Sequence, residues 1–421
     1  MTDAAETIPA TQPEQSLEIQ RRNRRNVLID AVGVGLATSS GPFLPVFLAR
    51  LGASSVQVGL LSSMPGLTGL LLSIPIGRFI QTRTNIVSWF SFARLLYLAA
   101  YTLTGIVPFF VPQKPAIFVI LAIWALATLP QTMLAVTFSV VMNAVAGPEG
   151  RYELMSRRWS ILGVTTAITV ALAGLLLDQI TFPLNYQTVF LGLSLGGLVS
   201  YYFSMRIQLR DAPQPLNGVR GSLWSNLKNM LGLVRGHPTF TSFTLRRFVY
   251  LSGLSLSAPL FPLYFVRELH AADSWIGLVN TAQTIVLLVG YAFWARQSRL
   301  RGGRFVLLTT TLAVAFYPGL VALTHSQWLI VVYAAIAGIF QAGMDLVFFD
   351  ELMKTIPPEY TPTFVSLAQS LGHLSAIIAP LLGTFLAEHI GLSNALIIST
   401  VLRLVGFLIF AKPPHLKQVL V

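Results

Sequence analysis

Twelve apolar stretches succeed one another along the chain, at 26–49, 56–79, 86–110, 116–146, 160–179, 185–206, 240–266, 274–297, 305–324, 327–356, 364–387 and 393–411. Each is long enough for a helix to cross about 30 Å of hydrocarbon. Spans 4 and 10 are longer than that and are expected to project beyond the membrane on the inner side. Short polar loops separate the spans, with one exception at 207–239. That stretch opens with the linker residues Asp211, Pro213, Pro215, Asn217 and Gly218. Leu223, Trp224, Leu227, Met230, Leu231 and Val234 then fall on one helical face, with Lys228, Asn229 and Arg235 elsewhere. This predicts a short amphipathic helix, either resting on the inner membrane surface or ordering the linker. The expected organisation is a tail at 1–25, six spans over 26–206, the linker at 207–239, six spans over 240–411 and a second tail at 412–421.

Composition agrees with the pattern. Hydrophobic residues make up 54% of the 421 positions and charged residues 10%, against about 25% charged in ordinary soluble domains. So little charge cannot cover a soluble surface, which excludes intrinsic disorder and a conventional soluble enzyme. The chain has no cysteine, so disulfides, zinc fingers and thiol catalysis are out. No phosphate-binding loop, HExxH pair or Gly-x-Ser-x-Gly turn occurs. The six histidines are scattered, and of them only His373 falls inside a span. The chain is therefore read as a non-enzyme with no cofactor and no metal.

The net charge of +12 would suggest nucleic acid in a soluble protein. Its placement gives a different reason. Of the 28 Lys and Arg residues, twenty-three fall in the two tails and alternate loops, beginning with Arg21, Arg22, Arg24 and Arg25. Arg50, Lys114 and Arg267 fall in the other loops, and Arg94 and Arg403 within spans. This is the positive-inside pattern of a multi-pass protein of the inner or plasma membrane with both termini cytoplasmic. The tail at 1–25 has no apolar core before its arginines and reads as a cytoplasmic segment, not a signal peptide.

The two six-span halves echo each other. Leu51-Gly-Ala-Ser-Ser-Val-Gln-Val-Gly-Leu60 matches Leu269-His-Ala-Ala-Asp-Ser-Trp-Ile-Gly-Leu278 at an offset of 218. Gln131, Pro148, Glu149 and Asp178 recur as Gln341, Pro358, Glu359 and Glu388 at an offset of 210. The fold class expected is an all-α membrane protein of twelve transmembrane helices in two pseudo-symmetric six-helix bundles.

With these repeats, the long middle loop and the basic loops after spans 2 and 8, the sequence resembles the major facilitator superfamily (MFS) over nearly its whole length. The family's loop signature runs Gly, acidic, basic, Gly, basic. The second copy keeps Arg301, Gly303 and Arg304. The first copy starts at Gly77 and includes Arg83, but Gln81 stands in the acidic place and Thr84 in that of the second glycine. The resemblance implies secondary transport of a small solute by alternating access, with spans 1, 4, 7 and 10 lining a central cavity near the midplane. A drug/proton antiporter is the alternative within the class. Against it, span 5 holds Gly163 and Gly174 but no proline, whereas a partly similar run, Ala379-Pro380 to Gly383, sits in span 11. A transporter-shaped sensor or assembly factor that moves nothing is the alternative outside the class. The partners expected are the solute, the lipid bilayer and protons as a candidate coupling ion, without nucleic acid, and the protein is expected to be a monomer.

Several residues are candidates for function. Gln131 and Gln341, at the middles of spans 4 and 10, suit a neutral polar solute or act as interhelical glue. Phe138, Phe340, Tyr250 and Phe43, with the hydroxyls of Thr38, Ser39, Ser40 and Thr137, are expected along the cavity. No mid-depth charge is expected on spans 1, 4 or 7, so a neutral, polar or amphipathic solute is favoured. Asp30, Arg94, Asp345 and Arg403 fall within the hydrocarbon, where a charge is costly. By depth, Asp30 is expected to pair with Arg94 and Asp345 with Arg403. A structural role for both pairs is preferred to proton coupling. At the inner mouth, Asp350 and Glu351 are expected to face Arg151, Arg157 and Arg158 as a gate latch, or to lie on a solvated helix end.

Overall fold

A computed structural model describes residues 11–81, 83, 85–209, 236–356 and 361–412. Among them every regular element is a helix. Twelve helices are long and apolar enough to span a membrane: Glu18–Arg50, Ser55–Ser73, Ile86–Phe110, Gln113–Ala146, Leu154–Gln179, Leu184–Met205, Pro238–Arg267, Asp273–Arg301, Gly303–Ala322, Gln327–Lys354, Leu367–Ile390 and Leu392–Ala411. They are called spans 1 to 12 below. The amphipathic segment expected at 223–235 lies outside the described residues. The first helix starts at Thr11, earlier than the apolar pattern begins, and carries Arg21–Arg25 as a continuation of span 1.

Spans 1 and 7 are each built of two helices. Span 1 breaks between Thr38 and Phe43, and span 7 between Ser257 and Leu260. Pro42 and Pro259 cap the second pieces, where a residue without an N–H breaks the hydrogen-bond ladder. Those second pieces match residue for residue at an offset of 217, Phe-Leu-Pro-Val-Phe-Leu-Ala-Arg50 against Leu-Phe-Pro-Leu-Tyr-Phe-Val-Arg267. They pack on each other.

Within each half the spans pack in corresponding pairs, 1 with 6 and 3 with 6, and 7 with 12 and 9 with 12. Large apolar side chains such as Phe110, Leu323 and Trp328 are 82%, 76% and 74% exposed. Facing outward on a twelve-span bundle, they form the surface that lipid covers.

The halves meet along two seams, span 2 with span 11 and span 5 with span 8. Glycine sets how closely the helices approach. A Cβ on Gly59 would fall 2.5 Å from the Thr384 hydroxyl, and one on Gly277 would fall 3.0 Å from the Val170 carbonyl beside Gly174. Gly59 and Gly277 are partners at offset 218, and Thr384 and Gly174 at offset 210. The internal repeat is therefore the seam itself. His373 also sits in a seam, with its ring packed against Gly69 of span 2.

Gates and vestibule: the candidate functional site

The end of the molecule carrying the loops after spans 1, 3, 5, 7, 9 and 11 is called distal. The other is the terminal end. At the distal end four side chains bridge the halves in two equivalent sets. Arg50, the last residue of span 1, holds Asp273 at 2.7 Å and the Ala271 carbonyl at 2.9 Å. Arg267, the last of span 7, donates to the Ser55 hydroxyl at 2.8 Å and to the Ala53 carbonyl. Asp178 accepts from the backbone N–H groups of Asp273 and Ser274, and Glu388 from that of Val56. These two carboxylates satisfy the open N-termini of spans 8 and 2, where the helix dipole favours negative charge. The sequence repeat had paired Asp178 with Glu388 without assigning them this work. The sets differ at one place, since Ser55 stands where its equivalent Asp273 supplies a charge.

At the terminal end the picture reverses. Spans 4 and 10 form no packed interface with each other among the described residues. A cavity of about 220 Å³ lies between spans 7, 10 and 11, and its lining includes Arg247, Leu251, Leu254, Gln341, Asp345 and Phe348. Asp345 accepts from the Gln341 amide at 2.8 Å and the Tyr291 hydroxyl at 3.2 Å. It meets no cation among the described residues. A second cavity of about 240 Å³ lies deeper, at the breaks of spans 1 and 7, with Asn280 and Gln283 among otherwise mostly apolar walls that include Pro42, Pro45, Phe261 and Tyr317.

The expected pair of Asp345 with Arg403 is corrected. Arg403 is buried and donates to the Val314 carbonyl, at 3.0 Å, and to the Ser257 hydroxyl. Equal depth did not decide the pairing because the two side chains leave their helices on different faces. The expectation of no mid-depth charge on span 7 meets one cation inside that span. Arg247, grouped with the loop cations in the charge pattern, is the tenth residue of a helix that begins at Pro238 and lines the vestibule.

Asp30 does lie against Arg94, completely buried, and also accepts from Ser200 at 2.6 Å. Arg158 comes to 3.6 Å of the same carboxylate, with its guanidinium over the Phe138 ring at 4.7 Å. Arg158 is thus a buried member of this cluster and not a surface gate residue. The two acidic gate candidates bond within their own helix. Asp350 and Glu351 both hold Lys354 of their own helix, at 2.6 and 2.9 Å. Arg157 is exposed, and the Arg151 side chain lies outside the described residues.

The loop motifs act within their own halves. Arg83 stacks over Phe79 and Trp89, at 4.3 and 5.7 Å, so aromatic faces stand where the family pattern has an acidic partner. Gly77 has open space around it. Arg301 lies over Phe305, Arg304 donates to the Ala411 carbonyl, and Gly303 packs beside Glu351.

Of the solute candidates, Gln341 faces the vestibule, bound to Asp345. Gln131 is half-buried, and it does not line the vestibule with its repeat partner. Tyr250 is corrected: it is fully buried, and its hydroxyl is spent on the Thr311 carbonyl at 2.7 Å. Phe43 is fully buried too, and Phe340 packs on Trp294. The hydroxyls of Thr38, Ser39, Ser40 and Thr137 bond back to carbonyls of their own helices, as hydroxyls in apolar helices commonly do.

Residues 243–419 match the family model described as Major Facilitator Superfamily. A segment of 164 residues is 27% identical to Multidrug resistance protein MdtG of Salmonella choleraesuis (strain SC-B67), and another of 163 residues is 24% identical to the MdtG of Proteus mirabilis (strain HI4320). Each match covers 38% of this chain and only 40% of the relative. The fold matches the crystal structure of a mutant of nucleoside transporter NupG, with a TM-score of 0.73 over 93% of this chain and 99% of that one at 11% identity. It also matches a bacterial homologue of iron transporter ferroportin in its inward-facing state, with a TM-score of 0.68 over 94% and 98% at 16% identity. The twelve spans and the seams between two six-span halves agree with the fold of these transporters, and residues 243–419 carry the match to the Major Facilitator Superfamily model.

Proposed function

We propose that this protein is a secondary transporter that moves a small amphipathic solute by alternating access, and that the structure is its inward-open form. The arginine bias of the loops supports a cytoplasmic terminal end, which makes the bridged distal end the outer gate in this reading. The observation that carries the reading is the contrast along the axis between the halves. Cross-half hydrogen bonds and glycine seams close the distal end, while a cavity with an accessible carboxylate lies toward the other. A solute entering from the cytoplasm meets Asp345 and Gln341 first, then the Asn280 and Gln283 amides at the helix breaks. Rocking about the seams would exchange which end is open.

A second reading, drug export driven by protons, is favoured by one feature. Asp345 is a titratable carboxylate on the solute path with only neutral donors, and the MdtG relatives carry a multidrug-resistance name. Reconstitution into proteoliposomes tests both readings. Solute flux with or without an imposed proton gradient is expected from the purified chain. Flux that needs the gradient and is lost in Asp345→Asn assigns the proton to Asp345. Absence of flux for every amphipathic solute offered, with the outer mouth never opening, would favour a sensor or assembly factor.

A further inference from the structure

The vestibule holds two opposite charges that do not meet. Asp345 lies nine residues before the end of the helix Gln327–Lys354, and Arg247 nine residues after the start of Pro238–Ser257. At 1.5 Å per residue each is about 14 Å above the terminal-side end of its helix. Both line the same cavity, yet they form no ion pair. Asp345 is steadied by Tyr291 and Gln341, both neutral. Arg247 has a buried Nε without a partner, and its guanidinium sits 5.8 Å from the Phe348 ring centroid. Elsewhere among the described residues, buried carboxylates and guanidinia mostly find one another or backbone carbonyls, as Asp30, Arg94 and Arg403 do. Two separated charges at membrane depth are costly unless something completes them. The rest of the wall is largely apolar, with Leu251, Leu254 and Phe348.

We propose that this vestibule binds a zwitterion with an apolar body: a protonated amine against Asp345, a carboxylate or other anionic group against Arg247, and an aromatic or aliphatic part against the leucines and Phe348. The inference rests on the transport reading above and names its substrate class. A solute of zero net charge is consistent with the zero net charge of the pair. An amine alone would leave Arg247 unanswered, and an acid alone would leave Asp345 so. A carboxylate and a guanidinium match in bidentate geometry, while the Asp345 oxygens retain acceptor capacity for an ammonium.

The test uses the purified full chain and matched probes that share a phenyl, naphthyl or hexyl body. Each body is offered as the α-amino acid, the amine alone and the carboxylic acid alone, and binding is read by calorimetry and by the shift in melting temperature. The wild-type chain is expected to bind the amino acid form at least about tenfold more tightly than either partial form. Arg247→Gln should bring the amine level with the amino acid, and Asp345→Asn should do the same for the acid. If a single variant is too unstable to purify, the exchange Arg247→Asp with Asp345→Arg keeps both charges and should retain the zwitterion preference. Equal binding of amine and amino acid by the wild type would overturn the proposal in favour of a plain cation site. Binding of none of the probes would overturn it too, and would leave Arg247 and Asp345 as a pair that forms only when the inner gate closes. Outer-mouth opening is measured by thiol labelling of the same chain carrying the single substitution Asn280→Cys. Opening without zwitterion preference sinks this inference alone, whereas zwitterion binding by a protein that never opens sinks the transport reading.

Discussion

The two ends of the molecule treat charge in opposite ways. At the distal end Arg50, Asp273, Arg267, Asp178 and Glu388 each find a partner in the other half. At the terminal end Asp350 and Glu351 turn to Lys354 of their own helix, and Asp345 and Arg247 share a cavity without touching. The distal contacts are numerous but individually modest, because backbone caps and a partly exposed ion pair are each worth only about 1 kcal/mol. A closure of that kind can be undone by a comparable gain elsewhere. The buried Asp30 cluster differs from both ends, since all its members belong to the first half.

That distinction yields the largest expected effect. Asp30→Asn leaves Arg94 and Arg158 facing each other without their shared carboxylate, and breaking a buried pair costs about 3–5 kcal/mol. Melting temperature and yield should fall sharply, with no change in which end is open. A stable variant that instead opens the distal end would mean that the cluster belongs to the gate.

Next comes the distal ion pair. Arg50→Ala removes the bonds to Asp273, Ala271 and Tyr186 and should weaken distal closure by about 1–3 kcal/mol, the usual cost of leaving buried partners unsatisfied. That is a shift of about fivefold to 150-fold toward the outward-open form, read from spin-label distances across the distal loops. An unchanged distance distribution would show that the glycine seams close this end by themselves.

Smaller effects sharpen the asymmetry between the two sets. Asp178→Ala removes the cap on span 8, at a cost of about 0.5–2 kcal/mol, and should widen the distal distance distribution less than Arg50→Ala does. Ser55→Asp places a carboxylate near Arg267, where the repeat partner Asp273 has one. It should tighten closure by up to about 1 kcal/mol and slow solute flux. Faster flux in Ser55→Asp would contradict the assignment of Arg267 to the latch.

The sequence carried much of this. Apolar run lengths located all twelve spans, and the repeats at offsets 218 and 210 marked the residues that form the seams and the distal caps. The failures share one cause, which is that depth along a helix is not direction around it. Asp345 falls on the face of Gln341 and Phe348, its i−4 and i+3 neighbours, and that face lines the vestibule. Arg403 follows Ser399 and precedes Gly406, and all three are packed into the second half. Arg247, Leu251 and Leu254 share the vestibule face of span 7, while Tyr250, Gly253 and Ser257 face Arg403 and the core. Reading these faces would have moved Tyr250 out of the cavity lining and Arg247 into it. The approach of Arg158 to Asp30 joins spans 5 and 1, and no local pattern in the chain signals it.

The central claim is that the distal contacts are a gate. Because the chain has no native cysteine, one introduced thiol reports alone. Asn280→Cys lines the deeper cavity, and a membrane-impermeant thiol reagent can be applied from either side of oriented vesicles. With the latch intact, labelling is expected from the cytoplasmic side and only slowly from the outside. In the Arg50→Ala background, outside labelling should rise about fivefold or more, in step with the weakened closure. Outside labelling that is the same in both backgrounds would contradict the account.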